Sequence, residues 1–224
     1  MSEPIVDRQE FWPTIKREVK ATGRIQTFIE DTIATPHGET IVRQWVGHTG
    51  AVAVMAMDEQ GRIAVVHQYR HPVGFRLVEP PAGILDIEGE PPVEAAKREL
   101  AEEAQLAASR WHTLVDILTS PGGLQESIRI FLARGLSEVP LPDGFEIEGE
   151  ETDMGLHWIA LDDLVARVYA GQIQSPTMVS GTLALALAIE TGRVDHLLPP
   201  DAPWPARDTK RRRDSELTEP PAAQ

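Results

Sequence analysis

Residues 83–106 read GILDIEGEPPVEAAKRELAEEAQL, and their spacing says more about architecture than any other part of the chain. A helix turns by about 100° per residue, so positions i, i+3 and i+4 share a face. On that period the segment predicts a helix over about 92–105 with two stripes. Val93, Ala96, Leu100 and Ala104 form an apolar stripe suited to a core, and Glu99, Glu102 and Glu103 form an anionic one. Like charges at such spacings repel by roughly 0.2–0.5 kcal/mol per pair. Such a face is ordinarily solvated, or else gathered around a cation. Hard Mg²⁺ is held by one or two carboxylates together with phosphates and waters. Metal-assisted chemistry on a phosphate is therefore within reach of this stripe.

The turn-forming Pro91-Pro92 opens that helix, in the first turn where a missing N–H costs nothing. Upstream, AVAVMAM (51–57) and RIAVVHQYR (62–70), joined by Asp58-Glu59-Gln60-Gly61, predict a β-hairpin. Residues 17–47 alternate as strands around the turn Pro36-His37-Gly38. Downstream, strands are predicted at 111–118, 128–134 and 155–160, then a short helix from Leu161 to about Ala170 and a last helix over about 176–190. This mixed order predicts an α/β sandwich with a mixed sheet, preceded by a small antiparallel β region.

With 21 basic against 35 acidic residues the net charge is −14, which disfavours binding to nucleic acid. Mean hydropathy of −0.22 fits a soluble protein, and no apolar run approaches the roughly 18 residues of a membrane span. The N-terminus lacks the layout of a signal peptide, and with no cysteine there is no disulfide framework or thiolate site. A cytoplasmic enzyme is expected. The histidines are scattered singly, without the paired spacing of a zinc site. No serine elbow, phosphate-binding glycine loop with lysine, or dinucleotide fingerprint occurs. Residues 201–224, rich in proline and charge, read as a disordered tail that carries the basic run Lys210-Arg211-Arg212-Arg213.

Gly83, Glu90, Arg98, Glu99, Leu100, Glu102, Glu103 and Leu106 together resemble the Nudix box. Two departures stand out: six residues rather than five separate Gly83 from Glu90, and Gln105 replaces the glycine that ends the helix. One extra loop residue costs little. A residue with a Cβ at the helix end is disfavoured by about 1 kcal/mol, which predicts a frayed or lengthened terminus. Further segments resemble the ADP-ribose pyrophosphatase branch of that family. They are HQYRHPVGFRLVEPPAGILD (67–86), Pro121 fifteen residues beyond Leu106, and Glu150-Glu151-Thr152-Asp153-Met154.

The resemblance implies a Nudix α/β/α sandwich over 49–200 and an N-terminal β region over 1–48 that builds a homodimer. It implies Mg²⁺, with Mn²⁺ as an alternative, held by Glu99, Glu102, Glu103 and the Ala82 carbonyl. It implies a nucleoside diphosphate sugar as substrate, cleaved as ADP-ribose into AMP and ribose 5-phosphate. Glu151 would orient or deprotonate the attacking water, with Glu150 its close competitor and Glu102 a further contributor. Arg70 and Arg76 would grip the diphosphate, and Glu79 would touch the substrate or a second metal. Arg98 reads as a residue that holds the acidic cluster in shape. Rival readings are cleavage of another nucleoside diphosphate sugar and a silent module that binds ADP-ribose.

Overall fold

The computed structural model describes residues 4–142 and 154–209. Along them run β1 (Thr14–Thr22), β2 (Gln26–Ala34), β3 (Thr40–His48), β4 (Ala51–Ala56), β5 (Arg62–Arg70), β6 (Phe75–Glu79) and β7 (Ala82–Ile84). They continue with α1 (Pro92–Ala104), β8 (Leu106–Leu118), β9 (Ser127–Glu138), β10 (Gly155–Ala160), α2 (Leu161–Tyr169) and α3 (Pro176–Glu190). The chain divides into two units, one of residues 50–119 and 127–202, the other of the remainder.

The larger unit is organised by β4, an apolar run buried along its whole length. It pairs in parallel with β9, from Ala51↔Ile128 to Ala56↔Ala133, and antiparallel with β7, while β8 flanks β9. The resulting sheet has the order β7-β4-β9-β8 and mixed polarity. Successive side chains of a strand point to opposite faces. Val52, Val54 and Ala56 of β4, with Phe131 and Ala133 of β9, pack against Ala95, Ala96, Leu100 and Ala104 of α1. Ala51, Ala53 and Met55, with Ile128, Ile130 and Leu132, pack against Leu164 of α2 and Met178 and Leu185 of α3. A core on each face of one mixed sheet is the predicted sandwich. A Cβ on Gly181 would press on Met55 Sδ at 2.7 Å, so this glycine lets α3 lie close to the sheet.

The predicted hairpin of β4 and β5 closes only at its tip. Asp58 N–H donates to the Arg62 carbonyl at 3.0 Å, and Met57 bridges Ile63. Beyond that rung β5 leaves to form a second sheet, β10-β5-β6. Asp58 fixes the turn. Burial opposes its ionised form, but the Arg62 N–H and guanidinium and the Gln60 N–H outweigh that, and its pKa is lowered. Strands β6 and β7 are additions to the sequence reading. They escape it because five and three residues, interrupted by Pro80 and Pro81, are too short for a period of two to show.

The smaller unit holds the antiparallel meander β1-β2-β3. Its buried Asp31 accepts from Arg17 Nε at 2.6 Å, Arg17 Nη2 at 2.8 Å and Trp45 Nε1 at 3.0 Å. Residues 120–126 run alongside β3, with Val46 N–H donating to Gly123 O at 2.8 Å and Gln125 N–H to Val46 O at 2.9 Å. The stretch read as a disordered tail differs over its first residues. The Ala202 carbonyl accepts from buried Arg129 at 2.6 Å, Trp204 is buried, and a helical turn occupies 205–209. The aromatic Trp204 gives that stretch an anchor that its overall composition conceals. Residues 210–224 lie outside the described residues.

Candidate active site

Helix α1 starts at Pro92 behind an extended Pro91, with Glu94 in its first turn, where the macrodipole favours negative charge. It ends at Ala104. Gln105 takes the left-handed conformation itself (φ 52°, ψ 41°), its N–H reaching the Ala101 carbonyl at 3.1 Å. The terminus is therefore neither frayed nor lengthened. A non-glycine residue bears the strained turn, and it is the only one with positive φ among the described residues.

The anionic stripe of α1 lies against β7. Glu103 Oε2 accepts the Ala82 N–H at 2.9 Å. Glu99 sits over Gly83 so closely that a Cβ on that residue would overlap its carboxylate. The glycine at 83 thus has a steric purpose, within a strand where no turn requires it. Arg98 draws the remaining carboxylates together. Its Nε and Nη2 meet Glu90 Oε1 and Oε2 at 3.1 and 3.2 Å, and Nη1 meets Glu99 Oε1 at 2.7 Å and Glu102 Oε2 at 3.0 Å. The Glu90 hydrogen bonds raise the Arg98 pKa above its ordinary value against the pull of burial, and the Glu99 and Glu102 charges add to the rise. One guanidinium faces three carboxylates, so negative charge is in excess here.

Among the described residues no three acidic or imidazole side chains already converge as a metal shell. Their oxygens turn instead to Arg98 and to the Ala82 N–H. The donor set nonetheless fits a hard divalent cation: oxygen only, anionic in excess, and backed by a glycine whose missing Cβ leaves room for Glu99.

The other predicted site residues divide. Arg70 donates through Nε (2.9 Å) to Glu79 Oε2 and holds Nη2 2.8 Å from the same oxygen as an ion pair, and Glu79 is buried. Arg76 places Nη1 on the His67 carbonyl at 3.1 Å. Glu79 therefore has Arg70 as a partner, and its second oxygen accepts Ser175 Oγ at 3.2 Å. Glu150 and Glu151 lie outside the described residues. Sequence reasoning missed Ser175 and Thr177, whose hydroxyls are 3.0 Å apart, because Ser175 before Pro176 reads only as a helix start. It also gave Glu90 no partner. Arg98 lies eight residues further on, across the loop-to-helix junction, and no single-element period brings the two together.

The sequence matches the NUDIX domain family over residues 47–178. It is 44% identical to an ADP-ribose pyrophosphatase of Mycobacterium tuberculosis over 88% of this chain and 92% of that one. It is 39% identical to a methanol dehydrogenase activator of Bacillus methanolicus over 63% of this chain and 75% of that one. Among solved structures, one described as an ADP compounds hydrolase superposes with a TM-score of 0.68 at 20% identity, over 84% of this chain and 100% of that one.

Proposed function

The chain belongs to the Nudix family, and on that premise we propose that this Nudix hydrolase splits the diphosphate of ADP-ribose into AMP and ribose 5-phosphate. The observation that carries the reading is the α1 stripe. Glu99 stands over Gly83, Glu103 accepts the Ala82 N–H and Arg98 ties Glu102 to Glu99, in a chain alike along most of its length to an ADP-ribose pyrophosphatase.

In this reading Glu99, Glu102, Glu103 and the Ala82 carbonyl hold Mg²⁺, or Mn²⁺ in its place. When bound, the cation supplies positive charge to the diphosphate and acidifies water. Arg70 and Arg76 bind diphosphate oxygens through planar N–H pairs. Glu151, or Glu150 next to it, takes the proton of the attacking water. A new P–O bond forms from that water as the bridging P–O bond breaks, and the departing phosphate carries the electron pair away. Catalysis of this kind is mostly positioning and electrostatics. The proposed setting is the cytoplasm. The proposed assembly is a homodimer through the N-terminal sheet, where Ile15, Val19 and Val42 are more than half exposed.

The test is the full chain with ADP-ribose and Mg²⁺, its products separated by chromatography. Release of AMP and ribose 5-phosphate supports the proposal, and folded protein with no turnover at substrate excess overturns it. Binding without turnover would make the chain a binding module. A kcat/KM at least about tenfold higher for ADP-glucose or GDP-mannose would reassign the sugar or base.

A further inference from the structure

Glu79 ends β6 with its carboxylate buried, and both of its oxygens are engaged. Oε2 accepts the Nε–H of Arg70, with Nη2 in ion-pair contact at 2.8 Å, and Oε1 takes the hydroxyl of Ser175. Ser175 is itself 1% exposed and stands at the N-cap of α3. Serine at that position normally caps its own helix by accepting a backbone N–H, a bond worth about 1 kcal/mol. Here it makes no such bond. Pro176 removes one of the amides in need of a cap, and the Ser175 side chain turns away to Glu79.

A serine hydroxyl has a single proton, and that of Ser175 is committed to Glu79. The 3.0 Å contact between Ser175 and Thr177 must then run with Thr177 as donor. The order is fixed: Thr177 donates to Ser175, Ser175 to Glu79, and Arg70 to Glu79 from the other side. The N-terminus of α3 lies beside the same carboxylate.

An arginine at a surface usually shares a mobile carboxylate and surrenders much of the gain to side-chain entropy. Arg70 differs, because its carboxylate is clamped from behind. The guanidinium is gripped along its Nε–Nη2 edge, while Nη1 has no partner among the described residues and the side chain is 41% exposed. A charged fork fixed on one edge and open on the other is ready to receive an anionic oxygen.

We propose that Ser175 and Thr177 are positioning residues that lock Glu79 and thereby hold the open edge of Arg70 toward the substrate diphosphate. This rests on the reading of Arg70 as a diphosphate ligand. Glu79 then acts within the protein rather than on the substrate or a metal.

The test is a double-mutant cycle in the full chain, with ADP-ribose and Mg²⁺. Ser175→Ala is expected to raise KM about fivefold with kcat within about twofold, and Ser175→Thr, which keeps the hydroxyl, to restore KM to within about twofold. In an Arg70→Ala background, where KM is already high, Ser175→Ala should add less than about twofold. Multiplying effects would overturn the proposal, as would an unchanged KM in Ser175→Ala or in Arg70→Ala. A second readout needs no substrate. Solvent exchange of the Arg70 Nε–H, followed by NMR, should quicken at least about tenfold in Ser175→Ala. An unchanged exchange rate overturns the lock whatever the enzyme hydrolyses. Quickened exchange in a protein inert toward ADP-ribose would keep the lock and discard the substrate assignment.

Discussion

Glu99 rests its carboxylate on the bare Cα of Gly83, in space that any larger residue at 83 would claim. The atoms displaced by a Cβ belong to the free end of a flexible side chain, so the fold yields easily while the carboxylate moves. Gly83→Ala is expected to melt within about 3 °C of the parent. It should nevertheless lose at least about tenfold in kcat, because displacement of a reacting group by an ångström is costly. Thermal melts beside steady-state kinetics check both halves. A kinetic loss matched by an equal loss of fold would refute the explanation.

Glu103 joins the backbone of β7 to the charged face of α1. Glu103→Gln keeps an oxygen for the Ala82 N–H and removes the negative charge. Turnover with Mg²⁺ should fall by about 100-fold or more, with the melting temperature nearly unchanged. Retained turnover would remove Glu103 from the essential ligands.

Gln105 occupies a conformation that glycine takes freely. Gln105→Gly is expected to stabilise the protein by up to about 1 kcal/mol, which is about 2–4 °C in melting temperature for a chain of this size. The looser unfolded chain that glycine brings offsets part of this gain. A lower melting temperature would show that the Gln105 side chain contributes something its backbone angles do not reveal.

His112, on β8 beside Arg134, titrates below its usual range. Burial is the main cause, the Arg134 and Arg110 charges add to it, and Asp195 opposes them. The folded protein then binds this proton less readily than the unfolded chain does. Stability contributed by neutral His112 is complete above the unfolded pKa of about 6.5 and is lost as pH falls through the lower folded value. Urea midpoints measured from pH 7.5 down to pH 5 should decline, and His112→Gln should decline less. Equal slopes would assign the acid sensitivity to other groups.

Much of this was legible in the residues. Helix α1 declared itself through two stripes at helical spacing, and α2, α3 and β10 began and ended close to where capping residues and turns indicated. Arg98 could be read as the organiser of Glu99 and Glu102, because neighbours within one helix have calculable positions, whereas Glu103 turns to the Ala82 N–H and Glu90 joins from outside the helix. Contacts between elements were not legible. Nothing in the local sequence says that Ser175 meets Glu79, or that Arg129 is buried against Asp116 and the Ala202 carbonyl. The separation of β4 from β5 was hidden for a similar reason. A turn that closes correctly at Asp58 suggests a hairpin, and the partners that draw β4 elsewhere, antiparallel β7 and parallel β9, lie farther along the chain.

That parallel pairing has a consequence for how the enzyme comes into being. Between the two joined strands lie β5, β6, β7, α1 and β8, so the whole acidic helix is carried inside one very large closed loop. A nascent chain that has emerged only as far as residue 126 would possess every glutamate of the box and no finished platform to set them on. Ribosome release of the β9 segment should therefore be the moment at which the acidic helix first gains its platform, and severing the backbone within β9 should silence a site whose own residues are all intact.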